Sequence, residues 1–283
     1  MRGILTGILL LTFLATPLSA QELTGTLQQI QKSGKIKIGY RQSQPPMSFL
    51  EKDGMPAGYS IDICKRIVAG VKEKVGGDVE IEYVPVTAKE RFSALQDNRI
   101  DILCGSTTKT LSRGELVDFT QLTFATGASL MTLKERGIGN DFNGRKIGVV
   151  KGTTTIVALE ELLQGTKTSA DIVLLNSTAE GLKALKEKTI DAFAADQVVL
   201  IGLAMAADDP KMYTLFRDLF SYEPFALAVR RNDADFRLVA DRAISELCRS
   251  KEIRTIYDKW VGAFSAARPS AFEALITINA IPE

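Results

Sequence analysis

The sequence contains no histidine among its 283 residues. This absence excludes histidine-based acid–base catalysis, Ser-His-Asp triads and metal sites that use histidine ligands. Cysteine is scarce too. Only Cys64, Cys104 and Cys248 occur, and no pair has the Cys-x-x-Cys spacing typical of zinc or redox sites. We therefore expect neither a metal nor any other cofactor.

An excess of charge of either sign is also missing. Lysine and arginine together number 35 and aspartate and glutamate 34, so the formal net charge is +1. The sequence has no basic block and no interleaving of basic with aromatic residues, which argues against a nucleic-acid partner. The hydrophobic fraction of 45% and the charged fraction of 24% are ordinary for a globular protein. The length allows one large domain or two of ordinary size.

Long apolar runs are absent outside the N-terminus. Residues 4–15 are mostly apolar but too few to span a bilayer, and Arg2 supplies the positive charge that precedes such a run in signal peptides. The small residues that end at Ala20 are typical of a cleavage site. We therefore predict a signal peptide over residues 1–20 and an exported, soluble mature chain. A lipid anchor is not expected, because the mature chain would begin with Gln21 rather than cysteine.

The three cysteines leave two possibilities open in an exported chain. Export permits a disulfide, and an odd number of cysteines leaves at least one thiol outside it. Cys64 lies on a predicted helix and Cys104 on the strand that this helix could cover, so one expectation is a Cys64–Cys104 bridge. The alternative is that all three are small buried thiols.

The first part of the chain alternates strand and helix patterns. The alternation of Ile36, Ile38 and Tyr40 predicts a strand, and Ser60 is a candidate N-cap for a helix that Gly76 ends. The predicted elements are strand 35–40, helix 61–75, strand 79–83, helix 87–96 and strand 100–104. This order favours a parallel sheet.

The pattern restarts after an apolar, strand-like run at residues 124–133. Strands are predicted at 146–150, 171–175 and 190–195, each followed by a helix, and Ser177 with Glu180 forms a capping box. A strand at 225–229 and helices at 233–248 and 250–261 follow, and 265–283 is interpreted as a C-terminal tail. Two α/β units of similar size predict a cleft between them, where open α/β sheets place ligands.

The loop after strand 100–104 combines groups that bind a small anion. Gly105 allows close approach of the backbone, and Ser106, Thr108 and Thr110 supply hydroxyls. Arg113 adds a planar fork that suits a carboxylate. The alternative interpretation is a solvated Ser/Thr loop with a surface arginine.

The sequence resembles the periplasmic solute-binding proteins of amino-acid ABC transporters, which have the type 2 periplasmic-binding-protein fold. The likeness is greatest to the glutamate/aspartate-binding subgroup and covers residues 34 to about 264. It rests on motifs that occur in order along the chain: Pro45-Pro46, residues 58–62 (GYSID), residues 104–108 (CGSTT), Arg113, Asp118-Phe119, residues 151–154 (KGTT), residues 191–196 (DAFAAD) and residues 257–260 (YDKW).

The resemblance implies an α/β fold of two lobes, each a mostly parallel sheet flanked by helices. Lobe one would comprise residues 34–124 plus 225–264, and lobe two residues 130–219. Two hinge crossovers, near residues 125–130 and 219–225, would join them. The resemblance also implies a periplasmic, monomeric protein whose partners are an amino acid and a membrane permease.

The resemblance implies which residues bind the α-carboxylate of the ligand. Arg113, with the loop of Ser106 and Thr108, would hold the α-carboxylate of the ligand. Thr154 would add a hydroxyl or N–H contact from lobe two, at a helix N-terminus where the dipole favours an anion.

The resemblance places the other charges of the ligand against three further residues. Asp196 would accept from the α-ammonium group, and Arg41 and Arg91 would bind a side-chain carboxylate. Each has a simpler alternative: Arg41 and Arg91 as solvated surface residues, and Asp196 as the N-cap of the next helix.

Two departures weaken the specificity that the subgroup would imply. Thr178 stands where the subgroup has a basic histidine, and Ala88 where it has a small hydroxyl residue. The expected ligand is therefore glutamate or aspartate, with their amides or a broader set of polar amino acids as the alternative.

The expected mechanism is capture of the ligand by closure of the two lobes, followed by delivery to the permease. Two other functions stay open. One is a periplasmic dehydratase-like enzyme on the same fold, which would need a cleft glutamate or a perturbed lysine in place of histidine. The other is a ligand-binding component that docks on a receptor.

Overall fold

The computed structural model describes residues 22–139, 141–264 and 267–283. The signal peptide predicted for residues 1–20 lies outside this range. The helices are α1 (Gly25–Ser33), α2 (Tyr59–Val75), α3 (Arg91–Gln96), α4 (Thr155–Thr166), α5 (Thr178–Lys186), α6 (Gln197–Ala206), α7 (Ala234–Arg249), α8 (Glu252–Trp260) and α9 (Ser270–Asn279). Among the described helices, none has both the length and the apolar character needed to cross a membrane.

The strands form two five-stranded sheets and one small antiparallel sheet. They are β1 (Lys35–Tyr40), β2 (Ser43–Gln44), β3 (Ser48–Leu50), β4 (Pro56–Ala57), β5 (Glu80–Pro85), β6 (Ile102–Cys104), β7 (Asp118–Thr126), β8 (Ala128–Leu133), β9 (Arg145–Val150), β10 (Ala170–Leu175), β11 (Ala192–Asp196), β12 (Tyr213–Leu215) and β13 (Glu223–Val229). The small sheet has the order β2-β3-β4.

Lobe one is the unit built on the sheet of order β5-β1-β6-β13-β7. Strand β1 pairs in parallel with β5 and β6, whereas β13 runs antiparallel to β6 and β7. Ile36 and Ile38 of β1 and Ile67 of α2 are fully buried and belong to one core cluster. The alternating pattern of the sequence therefore places its apolar face against a helix layer.

Lobe two is the unit built on the sheet of order β10-β9-β11-β8-β12. Strands β9, β10 and β11 are parallel, and β8 is antiparallel to β11 and β12. Both sheets thus have three parallel strands, which follow the strand–helix repeat, and two further strands that are joined at one side by antiparallel pairing. The two-lobed α/β architecture predicted from the sequence is confirmed.

The chain passes between the lobes twice, at neighbouring positions. Strand β7 of lobe one is separated from β8 of lobe two by Gly127 alone, and the return runs from β12 to β13. A Cβ atom on Gly127 would lie 2.3 Å from the carbonyl oxygen of Ser221, so only glycine fits at this point. The two connections therefore touch each other where the lobes meet.

Helix α2 begins in a way that the sequence pattern does not predict. Its N-cap is Gly58, with φ of 130°, and not Ser60. The hydroxyl of Ser60 instead donates to the carbonyl oxygen of Gly105 at 3.1 Å. The helix starts earlier because one of its first N–H groups, that of Ser60, is already paired with the carbonyl oxygen of Met47 at 3.0 Å. Gly58 packs against the same oxygen, from which a Cβ would be 2.4 Å away. Ser60 is thereby free to support the loop after β6.

The segment interpreted as a tail contains helix α9, to which the sequence pattern had assigned no structure. The ring of Phe272 lies 4.1 Å from that of Tyr257 and 6.2 Å from that of Phe124. The amide of Asn279 donates to the carbonyl oxygen of Leu122 in β7. The apolar spacing of Phe272, Leu275 and Ile276, which are all buried, is the signal that identifies this helix.

Cys64 and Cys104 form the disulfide that was one of the two possibilities. Their Cα atoms are 6.4 Å apart, and the bridge joins α2 to the end of β6. Cys248 is a buried free thiol, and burial raises its pKa to about 11. The disulfide therefore fixes the strand end from which the loop of Ser106 and Thr108 starts.

Candidate functional site

The predicted site residues lie at the edges of the two sheets that face each other. Arg41 follows β1, and the loop from Gly105 to Arg113 follows β6. Thr154 stands at the start of α4, after β9, and Asp196 is the last residue of β11. Parallel strands expose their carboxyl ends at one edge, so groups that are distant in sequence meet in the cleft.

Arg113 is oriented by its own loop. Its backbone N–H donates to the hydroxyl of Thr110 at 3.1 Å, and its guanidinium donates to the carbonyl oxygen of Thr108 at 2.8 Å. A second nitrogen donates across the cleft to the carbonyl oxygen of Gly152 at 3.4 Å. Burial lowers the pKa of Arg113, while Glu223 and Asp196 act in the opposite direction. The side chain is partly buried and still points its fork toward lobe two.

Arg91 and Arg41 are both buried, with 3% and 6% of their surfaces exposed. The solvated alternative for these two residues is therefore wrong. Arg91 donates to the carbonyl oxygens of Ala88 and Gly152, and its guanidinium stacks over the ring of Phe92 at 4.5 Å. Its Nε is buried and has no hydrogen-bond partner among the described residues.

The guanidinium of Arg41 makes no side-chain hydrogen bond within the part of the chain that the structure describes. Burial lowers the pKa of Arg41 to about 10, although Asp196 and Glu90 raise it. Burial lowers the pKa of Arg91 as well, and the charges of Arg113 and Arg41 lower it further. Three guanidinium groups thus repel each other in one desolvated region.

Asp196 is the acidic group that faces these cations from lobe two. Although it occupies the N-cap position of α6, its side chain accepts no capping hydrogen bond, and its Oδ1 is buried without a partner in the described structure. Burial raises the pKa of Asp196 to about 8, and Glu223 raises it too, whereas Arg113, Arg91 and Arg41 oppose this shift. The alternative interpretation, in which Asp196 serves as the N-cap of α6, is therefore not supported by a capping hydrogen bond.

Thr108 and Thr154 meet across the cleft. Their hydroxyl oxygens are 3.4 Å apart, and both donate to the carboxylate of Glu223. Glu223, with only 2% of its surface exposed, is a site residue that the sequence analysis missed. The available signal was a glutamate just before the predicted strand 225–229, within the second predicted crossover.

Ser106 points to a second group that the sequence analysis missed. Its hydroxyl donates to the side-chain oxygen of Gln44 at 2.9 Å, and Gln44 is itself buried. Gly105 lies against Arg41, since a Cβ there would be 3.0 Å from the Cγ of Arg41. The loop after β6 therefore packs directly on the base of Arg41.

The two residues that depart from the glutamate/aspartate pattern also lie at the cleft. The hydroxyl of Thr178, at the start of α5, donates to the backbone carbonyl oxygen of Ser43. The hydroxyl oxygens of Thr178 and Ser43 are 3.0 Å apart. Ala88 is buried, and its carbonyl oxygen accepts from Arg91. Thr178 thus links lobe two to lobe one, and neither residue adds a charge.

The lobes contact each other closely around this site. Besides the Gly152 and Thr178 contacts, helix α6 lies against the Pro45-Pro46 loop, where a Cβ on Gly202 would be 2.2 Å from the carbonyl oxygen of Pro45. The structure is therefore a closed arrangement of the two lobes. Over the residues that it describes, no group of three or more acidic or cysteine side chains could hold a metal ion.

This arrangement can bind a small zwitterion without changing any bond. Arginine forks and hydroxyls suit carboxylates, and a buried carboxylate suits an ammonium group.

Two solved structures share the fold. An ancestral amino acid-binding protein, a precursor of cyclohexadienyl dehydratase, is 26% identical with a TM-score of 0.72, covering 83% of this chain and 99% of that chain. The cysteine-binding protein from Campylobacter jejuni is 24% identical with a TM-score of 0.75, covering 88% and 98%.

Comparison with sequence relatives and with a family model identifies the family. The L-glutamate/L-aspartate-binding protein of Pseudomonas aeruginosa is 32% identical over 262 residues, which is 91% of this chain and 87% of that protein. The family model of bacterial extracellular solute-binding proteins, family 3, matches residues 36–263, which include every site residue described above and all of both sheets except the first residue of β1. With the two lobes, the closed cleft and this match along nearly the whole described chain, the protein belongs to the bacterial extracellular solute-binding proteins of family 3.

Proposed function

We propose that this protein is the periplasmic substrate-binding component of an amino-acid ABC transporter, and that its ligand is an acidic L-amino acid, glutamate or aspartate. The name of the Pseudomonas aeruginosa relative supports this ligand class. The closed cleft, lined by opposite charges from two lobes, supports capture of a zwitterion.

The observation that carries the acidic assignment is the excess of buried positive charge. In the described cleft, Arg41, Arg91 and Arg113 face the carboxylates of Asp196 and Glu223. Buried cations without partners are strongly unfavourable. Once the ligand ammonium group has ionised Asp196, three cations face two carboxylates. Glutamate and aspartate each carry a net charge of one negative unit, so either would neutralise the remaining cation. A glutamine or leucine ligand would leave it uncompensated.

The hydrogen bonds of the three arginines support a separate role for each in binding the two carboxylates. Arg113 is held in place by Thr108 and Thr110, so its fork is pre-organised for the α-carboxylate. Within the described structure, Arg91 has an unpartnered Nε and Arg41 an unpartnered guanidinium, and these donors suit the side-chain carboxylate. Asp196 would accept from the α-ammonium group.

Binding would stabilise the closed form because only that form brings both sets of groups to one ligand. Lobe one supplies Arg41, Arg91 and Arg113, and lobe two supplies Asp196 and the N-terminus of α4 at Thr154. A ligand shifts such an equilibrium by its difference in affinity for the two forms. The closed form would then dock on the permease.

A broad polar amino-acid binder is the second candidate, and Thr178 favours it. Its hydroxyl is engaged with Ser43 and it contributes no cation, while Ala88 contributes no hydroxyl. A missing donor to a charged ligand group weakens binding by about 1–3 kcal/mol. The ligand range would then widen toward glutamine and asparagine.

A dehydratase-like enzyme is a further candidate, because one structural relative is a precursor of such an enzyme and the carboxyl of Asp196 has a pKa of about 8. A protonated carboxyl in a cleft can act as a general acid. Glu223 is not a second candidate for this acid, because both of its carboxylate oxygens are engaged by hydroxyl groups of the protein.

The deciding experiment is a calorimetric screen of the purified mature chain against the twenty amino acids, followed by competition of glutamine and leucine with bound glutamate. We expect glutamate or aspartate to bind most tightly, and salt to weaken them more than it weakens glutamine. Equal displacement of glutamate by leucine would replace the acidic assignment with a broad binder. Conversion of a carboxylated ring substrate by the protein would replace it with an enzyme.

A further inference from the structure

Glu223 connects both lobes and the second crossing between them. Its Oε2 accepts from Thr154 of lobe two at 2.7 Å and also from Thr108 of lobe one. Its Oε1 accepts from the hydroxyl of Ser221 at 2.7 Å. With 2% of its surface exposed, the carboxylate is shielded from water and depends on these three donors.

The contacts of Glu223 extend to both crossings between the lobes. Ser221 lies in the second crossing, and its hydroxyl oxygen accepts the backbone N–H of Ala128, the first residue of β8, at 3.0 Å. Glu223 itself begins β13 and pairs with Thr126 at the end of β7. One carboxylate thus holds together the two hinge segments and one site threonine from each lobe.

The number of hydroxyl hydrogens determines which hydrogen bonds Thr108 and Thr154 can make to a ligand. A hydroxyl has one hydrogen to donate and two lone pairs that can accept. Thr108 and Thr154 both give that hydrogen to Glu223, so neither hydroxyl can donate to a ligand carboxylate while these bonds persist. Each can still accept from a ligand N–H.

We propose that Glu223 is a positioning residue: by accepting from Thr108 and Thr154 it turns both hydroxyls into acceptors for the ligand ammonium group and draws the lobes together. This rests on the proposed function in that it assumes an α-amino acid ligand. It revises the sequence expectation, in which both threonines serve the carboxylate. That task passes to Arg113 and to backbone N–H groups.

The proposal separates ligands that carry an ammonium group from those that lack it. Replacing Glu223 with Gln keeps the shape and removes the charge. The amide offers one acceptor where the carboxylate has two, and its NH₂ competes to donate to the threonines. L-Glutamate should then bind about 10- to 100-fold more weakly, the effect of losing one or two hydrogen bonds to a charged group. Glutarate, which has both carboxylates and no ammonium, should change by less than about threefold.

The experiment is competition calorimetry with L-glutamate and glutarate on the whole mature chain, with thermal unfolding of each ligand-free variant. Glu160→Gln is the matched control, because Glu160 is exposed on α4 and its loss removes the same charge from a residue that is not bonded to either threonine. This control should bind both probes like the wild type. Glu223→Asp, which keeps the charge but shortens the side chain, should reproduce the selective loss if Glu223→Gln does not fold.

A selective loss of L-glutamate in either variant supports the positioning role. Wild-type affinity for L-glutamate in a folded Glu223→Gln variant would overturn it. Equal loss of L-glutamate and glutarate would overturn it as well, because Glu223 would then act on the fold alone. If the wild type itself does not bind L-glutamate, the proposed ligand class fails instead. The same pair of variants is then tested with the amino acid found in the screen and its deamino analogue.

Discussion

The guanidinium of Arg91 donates to the carbonyl oxygen of Gly152 at 3.3 Å, and this bond joins lobe one to lobe two beside the proposed ligand site. Arg91 lies at the start of α3, and Gly152 lies in the loop between β9 and α4. Arg113 donates to the same oxygen. Arg91 and Arg113 therefore take part in the contact between the lobes as well as in the proposed ligand binding.

A methyl group on Gly202 should hinder closure without harming the lobe that carries it. Its Cβ would lie 2.2 Å from the backbone carbonyl oxygen of Pro45 in the other lobe. Overpacking of this kind costs about 1–3 kcal/mol, so Gly202→Ala should weaken amino-acid binding about 5- to 150-fold in calorimetry.

Gly165→Ala is the control for this variant. Gly165 is also in a helix of lobe two, but no described atom lies within 4 Å of the point that its Cβ would occupy. The variant should bind normally and be more stable by about 0.5–1 kcal/mol, since alanine favours a helix. Wild-type affinity in Gly202→Ala would mean that the bound state does not form the contact with Pro45.

Arg113→Ala should abolish binding of every amino acid, acidic or neutral, because it removes the fork that is proposed to hold the α-carboxylate. The loss should exceed about 100-fold, the effect of removing a charge-assisted, bidentate interaction. The fold should persist, since Arg113 is only partly buried. Calorimetry with glutamate and glutamine tests this, and thermal unfolding serves as the check on the fold. Unchanged affinity for either ligand would contradict the assignment.

Arg41→Met should reduce the preference for acidic over neutral side chains. Binding of glutamate should weaken about 10- to 150-fold, because a charge-assisted hydrogen bond contributes about 1.5–3 kcal/mol. Glutamine should change less. The free protein should be no less stable, since the buried guanidinium has no side-chain hydrogen bond in the described structure to lose.

The control for Arg41→Met is Arg99→Met, which removes an exposed arginine of lobe one. It should leave both ligands at wild-type affinity in competition calorimetry. If Arg41→Met weakened glutamate and glutamine by the same factor, Arg41 would not distinguish the side-chain carboxylate from an amide.

Binding should depend on pH through Asp196. Its pKa is about 8, above the ordinary 3.8, so the folded protein holds a proton that the unfolded chain has lost. This proton's contribution to stability is therefore present below about pH 4 and is lost as the pH rises through about 8. An ammonium ligand favours the ionised carboxylate, so binding should release a proton, and affinity should rise toward pH 8.

Calorimetry in two buffers of different ionisation enthalpy measures this proton release. The wild type should release up to about one proton near pH 7, and affinity should rise by at most about tenfold per pH unit below pH 8. Asp196→Asn should show neither effect and should bind α-amino acids weakly. Proton release that persists in this variant would have to come from another group.

Reduction of the Cys64–Cys104 disulfide should destabilise lobe one. The bridge closes a loop with a sequence separation of 40 residues. Such a loop stabilises a fold by about 2–4 kcal/mol, which corresponds to a fall of roughly 5–15 °C in unfolding temperature for a chain of this size. Amino-acid binding should weaken as well, because Cys104 precedes the loop of Ser106 and Thr108.

Unfolding measured with and without reductant tests this expectation. Cys248→Ala is the control, since that thiol is free and buried, and the variant should keep its response to reductant. An unfolding temperature that reductant does not change would mean that the bridge contributes nothing to stability.

The sequence by itself determined the order of elements and therefore the fold class. Alternating apolar residues such as Ile36 and Ile38 specify strands locally, and the repeated strand–helix order permits few topologies. The loop from Gly105 to Arg113 was also visible, because a run of hydroxyls and an arginine after a buried strand is a local pattern. Helix α9 was equally local in its spacing of Phe272, Leu275 and Ile276, and it was missed only because the segment was interpreted as a tail.

Only the tertiary structure decided which polar groups share the cleft. The sequence alone is compatible with solvent-exposed side chains at Arg41 and Arg91. Their burial becomes evident only when β1, α3 and lobe two pack together. Glu223 was missed because its partners Thr108 and Thr154 are 115 and 69 residues away along the chain. Sequence periodicity reports which face of an element is apolar. Long-range hydrogen bonds between polar residues leave no such periodic trace, because they are set by the way the two lobes close.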